Sequence, residues 1–105
     1  MKTLFLSCLA ASTIVTVTLG AASLPSIPAA YKTGGFAIGC QAYTFNRFTV
    51  FEAIEKTAAA GAKVIEFYPG QSLSKEEPKV LWDHDASDEV IAKVKAKLTQ
   101  HGMKA

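Results

Sequence analysis

The first clear pattern along the chain is a pair of apolar runs, at 36–43 and 64–68, separated by an amphipathic segment. A near-continuous apolar run predicts a strand buried on both faces, as in parallel sheets. Polar residues occur only towards the C-terminal end of each run, where α/β folds build their sites. The pattern therefore predicts a strand–helix–strand unit of an α/β fold.

The amphipathic segment carries signals for both ends of a helix. Thr49 with Glu52 three residues later matches a capping box, in which side chain and backbone hydrogen-bond reciprocally. Gly61 is the expected left-handed residue just after the helix. Glu52 and Lys56 have the spacing of an i,i+4 ion pair on the exposed side.

A second amphipathic segment, 88–100, predicts another helix, and 71–86 before it predicts a long connection without regular structure. The sequence after each helix follows one pattern, Gly-Ala-Lys-Val at 61–64 and Gly-Met-Lys-Ala at 102–105. This repetition predicts a third strand beginning near Met103. We therefore expect the chain to be the front part of a longer protein built from repeated βα units.

The N-terminus has the pattern of a secretory signal peptide. A positive charge at Lys2 precedes an uncharged apolar run at 4–19, and small residues lead to Ala22. The run is shorter than the roughly 20 residues that a membrane-spanning helix needs, which disfavours an uncleaved anchor. Residues 1–22 are therefore predicted to be removed, leaving an exported protein, periplasmic or extracellular, with no membrane attachment.

Cleavage after residue 22 leaves a linker at 23–35, marked by Pro and Gly, and a domain at 36–105. Residues 23–105 have ten basic and nine acidic side chains, a balance that gives no reason to expect nucleic acid as a partner. Cys40 is its only cysteine, so an intrachain disulfide is excluded, and we expect a buried, inert thiol.

Several short motifs resemble one family of α/β barrels. They are Gly-Cys-Gln-Ala-Tyr-Thr-Phe at 39–45, Gly-x-x-x-Ile-Glu at 61–66 and Trp-Asp-His-Asp at 82–85. Together they resemble the xylose-isomerase-like TIM barrels of the sugar phosphate isomerase/epimerase superfamily. The resemblance covers 36–105 and implies the first two βα units of a (β/α)8 barrel.

The resemblance also implies a function. Its members act on a sugar or polyol, transferring a proton next to a carbonyl, and typical ones use a divalent metal. The Glu, Asp and His ligands lie on later strands that this sequence does not contain, so the segment alone is expected to bind no metal and to be inactive. The remainder of the barrel is then its first partner. A non-catalytic carbohydrate-binding barrel and a small exported interaction protein remain as alternatives.

Four residues near the ends of the two strands are candidates for the site. Glu66 is the catalytic candidate, because a carboxylate at the end of a buried strand is costly unless it is paired, hydrogen-bonded or solvated. Gln41 and Tyr43 share a strand face by the period of two, and Tyr68 shares the face of Glu66. These three are candidates for binding a sugar. The alternatives are a structural carboxylate for Glu66 and barrel packing for the others.

The Trp-Asp-His-Asp motif carries less chemistry than it suggests. His84 lies between Asp83 and Asp85, but adjacent residues seldom converge on one ion, so a solvated loop is expected. Trp82 is expected to anchor this loop by packing on the body of the protein. No metal ligand is assigned in this segment.

We expect the exported protein to begin near Ser23 when the gene is expressed in a secreting bacterium. N-terminal sequencing of the soluble protein measures this directly. Recovery of soluble protein with an intact Met1 would contradict the signal-peptide interpretation.

Overall fold

Residues 26–105 are described by a computed structural model, and the predicted signal peptide at 1–22 lies outside them. The described part is a small mixed α/β domain with a parallel and an antiparallel pair of strands. Short 3-10 helices occur at Ala29–Tyr31 and Ala42–Phe45. The remaining elements are β1 (Gly39–Gln41), α1 (Val50–Ala59), β2 (Val64–Glu66), β3 (Gln71–Ser72), β4 (Leu81–Trp82) and α2 (Asp88–Gln100).

The predicted parallel sheet is present, with β2 at its centre. Strands β1 and β2 pair in parallel, with Gly39 opposite Val64. Val64 also forms a parallel bridge to Lys104, supported by a 2.9 Å bond from the amide of Ile65 to the Lys104 carbonyl. This single bridge lies next to Met103, where a third strand was predicted, but no third strand of this sheet is formed within residues 26–105. The strands within 26–105 do not close into a barrel.

Gly39 is required by the close approach of β1 to β2. A Cβ atom at this position would lie 2.9 Å from the Val64 carbonyl oxygen and 3.2 Å from the Val64 Cβ. Because the nearest of these atoms belongs to the backbone, no side-chain rotation would relieve the contact. A glycine at this position therefore permits the close approach of the neighbouring backbone.

Both predicted strands are shorter than expected. The run at 36–43 forms a strand only at 39–41, and Phe36 and Ile38 are 76% and 51% exposed instead of buried. Before the strand, Phe36 bonds back to Thr33 across a tight turn. After it, the chain coils into the 3-10 helix. These local hydrogen bonds compete with extension of the first strand. The second run, 64–68, pairs only over 64–66.

The segment 71–86 was expected to be an irregular connection, and this prediction is wrong. It contains an antiparallel pair in which Gln71 faces Trp82 and Ser72 faces Leu81. The Ser72 hydroxyl donates to the carbonyl of Pro78 at 3.1 Å and braces the loop between the strands. Strands of two residues are too short to show an alternating pattern, so no periodic signal predicts them.

The capping box of α1 is confirmed, but the predicted ion pair is not. The Glu52 amide donates to the Thr49 hydroxyl at 3.2 Å, and the Glu52 carboxylate accepts from the Thr49 amide at 3.0 Å. The same carboxylate pairs with Lys75 at 2.8 Å instead of Lys56. The Lys56 ammonium lies 4.1 Å from the centre of the Phe48 ring.

One apolar core lies between the helices and the parallel strands. Both helices end at a glycine with positive φ, 85° at Gly61 and 62° at Gly102, as predicted. An ion pair between Glu55 and Lys97 joins α1 to α2 outside this core. The buried apolar residues are Ala42, Val50, Ala53, Ile54, Ile65, Leu73, Val94, Leu98 and Met103.

The linker at 23–35 is partly attached to the domain in the portion that the structure describes. The Lys63 ammonium donates to the carbonyl of Ala30 at 3.3 Å, and Lys104 lies 6.0 Å from the centre of the Tyr31 ring. Neither helix among residues 26–105 has the length and apolar character that crossing a membrane requires.

The negative charge of Glu52 should make the free energy of unfolding vary with pH in the acid range. Hydrogen bonding to Lys75, and then to the Thr49 backbone, lowers the pKa of Glu52 from 4.5 to about 2. A lowered carboxyl pKa stabilises the fold above the unfolded pKa, and this contribution is lost as pH falls from about 4.5 to about 2. Glu52→Gln should therefore lower the urea midpoint at pH 7 and have little effect near pH 2.

The matched control for this prediction is Glu66→Gln, because Glu66 is exposed and forms no ion pair among residues 26–105. Thr49→Ala removes the uncharged half of the capping box and should lower the free energy of unfolding by about 1 kcal/mol at pH 7. An equal loss for Glu52→Gln at both pH values would contradict the electrostatic account.

Candidate functional site

The C-terminal ends of β1 and β2 bring all four predicted site residues to one edge of the sheet. Gln41 lies opposite Glu66 in the parallel register. The rings of Tyr43 and Tyr68 meet edge to face, with centroids 5.1 Å apart and an angle of 72° between their planes. The ends of the two strands therefore present a carboxylate and an amide, and the residues just after them present a pair of phenols.

Gln41 has a structural role that the periodicity of the strand did not predict. Its side-chain oxygen accepts a 2.7 Å hydrogen bond from the amide of Tyr43 and caps the 3-10 helix that follows β1. Tyr43 lies in that helix, so its position follows from the turn and not from alternation along a strand. The ring of Tyr43 is 60% exposed and remains accessible to a ligand.

Glu66 ends β2 in an exposed position. Of the three environments that make such a carboxylate tolerable, solvation is therefore the one found. Its carboxylate makes no ion pair or hydrogen bond within residues 26–105, so no described contact supports a purely structural role in holding a loop. An exposed carboxylate at a strand end is able to accept hydrogen bonds or a proton from a bound molecule.

Tyr68 keeps its proton at neutral pH. Burial raises the pKa of its hydroxyl above the usual value of 10, and the neighbouring Tyr43 adds to this effect. A neutral phenol is both a donor and an acceptor of hydrogen bonds. Tyr68 therefore suits the recognition of hydroxyl groups, and it forms part of the wall of a neighbouring cleft.

That cleft of about 490 Å³ is the feature of the site that sequence reasoning missed. One of its lining residues is Gln71, which is only 3% exposed. The Gln71 amide nitrogen donates to the carbonyls of Phe45 and Phe48, at 3.3 and 3.0 Å. A glutamine just after Pro69-Gly70 carries no sequence signal of burial, because its partners are backbone atoms distant along the chain.

The Trp-Asp-His-Asp motif behaves as expected. Trp82 packs on Phe67 with ring centroids 5.3 Å apart, and His84 is exposed beside Asp83. Cys40 is half-buried rather than buried as predicted. No three His, Cys, Asp or Glu side chains come together within the described range 26–105 in a way that fits a metal ion.

A comparison of the chain with protein-family models and with curated proteins finds no match. The chemistry of the site therefore follows from its own residues alone. At one sheet edge they supply an exposed carboxylate, a neutral phenol beside a second ring, and a cleft with a buried amide. These groups suit a small polar ligand rich in hydroxyls.

Gln71→Met should destabilise the protein by about 1–3 kcal/mol, because two backbone carbonyls lose their donor while the apolar volume is kept. The matched control is Gln100→Met, which makes the same change at an exposed position of α2. Urea unfolding of both variants measures the difference. Equal midpoints for the two variants would show that the Gln71 bonds contribute nothing to the fold.

Proposed function

We propose that residues 36–105 are the N-terminal two βα units of a xylose-isomerase-like TIM barrel, and that the barrel is an exported sugar isomerase or epimerase. Its reaction is proton transfer next to the carbonyl of a sugar or polyol. Additional βα units beyond these two complete the barrel and are the first partner of this segment.

The order and direction of the strands support the barrel. A (β/α)8 barrel adds each new parallel strand next to the one before it. Here β1 pairs with β2, and the bridge at Lys104 extends the sheet on the other side of β2. A helix covers each connection. This sequential order is what the first units of a barrel require, and an open sheet with crossed strand order would not be compatible with it.

The single observation that carries the functional proposal is the position of Glu66. It stands at the carboxyl end of a parallel strand, beside Gln41 and within the same edge as the Tyr43–Tyr68 pair. Active sites of TIM barrels lie at this end of the strands. Glu66 accepts hydrogen bonds from substrate hydroxyls or orients the catalytic base, and the tyrosines bind the sugar by stacking and hydrogen bonding.

A divalent metal belongs to this proposal, but not to these residues. No group of metal-ligating side chains is formed within 26–105, so the ligands would have to come from other units. When bound, such a metal polarises the carbonyl and hydroxyl oxygens of a sugar. The residues described here contribute a wall of the pocket, and no step through the metal is assigned to them.

A second candidate is a barrel that binds carbohydrate without catalysis. The observation in its favour is the aromatic pair, since Tyr43 is 60% exposed and offers a ring to the apolar face of a sugar. Stacking of this kind gives affinity without any proton transfer. The two candidates differ in whether Glu66 changes a rate or only an affinity.

Glu66→Gln in the complete gene product tests the proposal, because it removes the charge with little change of shape. Exchange of solvent deuterium into the C–H next to the carbonyl is followed by NMR over a panel of pentoses and hexoses, with Mg²⁺ or Mn²⁺ added. The substitution should lower the exchange rate by about 10–10³-fold, the range of one acid–base contribution.

The matched control is Glu89→Gln, an exposed carboxylate on α2 that pairs with Lys93 and lies outside the site. Its exchange rate should equal that of the natural protein. Sugar binding without any exchange would support the non-catalytic barrel instead. Absence of both binding and exchange, or a stop codon directly after Ala105 in the gene, would overturn the barrel proposal.

A further inference from the structure

The cleft beside Tyr68 has a charge and hydrogen-bonding pattern of its own. It lies between the turn that follows β1 and the hairpin of β3 and β4, and its volume of about 490 Å³ is within the range of small-molecule sites. Two cations and one carboxylate line it: Arg47, Lys75 and Glu52. Ligand binding in this cleft is independent of the isomerase proposal.

Arg47 is the cation of the cleft that is not already neutralised. Lys75 forms a 2.8 Å ion pair with Glu52, whose carboxylate also caps α1. No carboxylate of the described chain, 26–105, lies within 4.0 Å of the Arg47 guanidinium. The cleft therefore carries one unbalanced positive charge, and a guanidinium is suited to bidentate binding of a planar carboxylate.

The turn that carries Arg47 is held in place from below. Gln71 donates both of its described hydrogen bonds to this turn, to the carbonyls of Phe45 and Phe48 on either side of Arg47. The 3-10 helix before the turn and the capped start of α1 after it fix its two ends. Less backbone freedom is therefore lost when Arg47 engages a ligand.

Gln71 also provides a second polar group. Its side-chain oxygen is buried and has no hydrogen-bond partner among the described residues. A buried acceptor without a donor is costly, and a ligand hydroxyl or a water would satisfy it after a small movement of the cleft wall that covers it. The direction of the amide is fixed, because its nitrogen faces two carbonyls that are able only to accept.

We propose that this cleft binds a hydroxycarboxylate, such as a sugar acid, with its carboxylate on Arg47 and a hydroxyl directed towards Gln71 and Tyr68. A single negative charge matches the single unbalanced cation. The Glu52 carboxylate in the same cleft would repel a second charge, so a phosphate dianion is the poorer fit. A neutral polyol lacks the group that Arg47 recognises.

The experiment uses residues 1–105 as one chain, whose single arginine gives one side-chain Nε–H signal in a ¹⁵N–¹H spectrum. D-gluconate is titrated at low ionic strength, with sorbitol, acetate and inorganic phosphate in parallel. Gluconate should shift the Arg47 Nε–H and the Gln71 side-chain amide signals together, with a Kd of about 0.1–10 mM. Sorbitol and acetate should bind at least about tenfold more weakly.

Two variants and one control complete the test. Arg47→Gln should weaken gluconate binding by at least about tenfold, and Arg47→Lys should fall between it and the natural protein. Lys95→Gln removes the same charge from an exposed site on α2 outside this cleft and should leave the Kd unchanged. Because Arg47 is exposed, its replacement should preserve the fold, as the amide signals will show.

Three results would overturn the proposal. Shifts that Lys95→Gln reduces as much as Arg47→Gln would show only general attraction of an anion to a basic protein. Phosphate binding as tightly as gluconate would replace the hydroxycarboxylate with a phosphate ligand. Absence of a shift at Arg47 up to the highest gluconate concentration would show that the cleft does not bind this class of molecule.

Discussion

The close approach of β1 to β2 determines where every candidate site residue lies. Gly39 allows the backbone of β1 to pass the Val64 carbonyl at a distance that no side chain would permit. This contact fixes the parallel register, and the register in turn places Gln41 opposite Glu66. A slip of one residue would send alternate side chains to the other face and separate these two. The site therefore depends on a glycine that has no chemistry of its own.

The turn after β1 is held by polar side chains in addition to the apolar packing of Ala42 and Phe45. Gln41 caps its start, the Thr49–Glu52 box fixes its end, and Gln71 binds its carbonyls from below. Buried amides with satisfied donors specify one backbone geometry more strictly than apolar packing does. Because Gln41 is engaged in one of these bonds, it contributes more to structure than to ligand binding. Glu66 makes no such bond among the described contacts, so its carboxylate remains available to a ligand.

The sequence predicted those features that depend on local chemistry. Capping residues, the glycines after both helices and the parallel pair were predicted and found, and a single parallel bridge at Lys104 lies where a third strand was expected. Strand lengths were overestimated, because apolar residues such as Phe36 stand where local turns interrupt pairing. The β3–β4 hairpin and the cleft around Gln71 depend on contacts between distant residues. Two-residue strands are too short to show a periodic pattern, so the sequence does not predict the hairpin or the cleft beside it.

Tyr68 borders both of the proposed binding regions. On one side it stacks against Tyr43 next to Glu66, and on the other it lines the cleft of Arg47. Its raised pKa keeps the hydroxyl neutral, so it is able to donate to one neighbour while accepting from another. A ligand that spans both sides would place its hydroxyls near Glu66 and its anionic end near Arg47. Electrostatics would then favour this orientation over the reverse, since like charges would meet at Glu66.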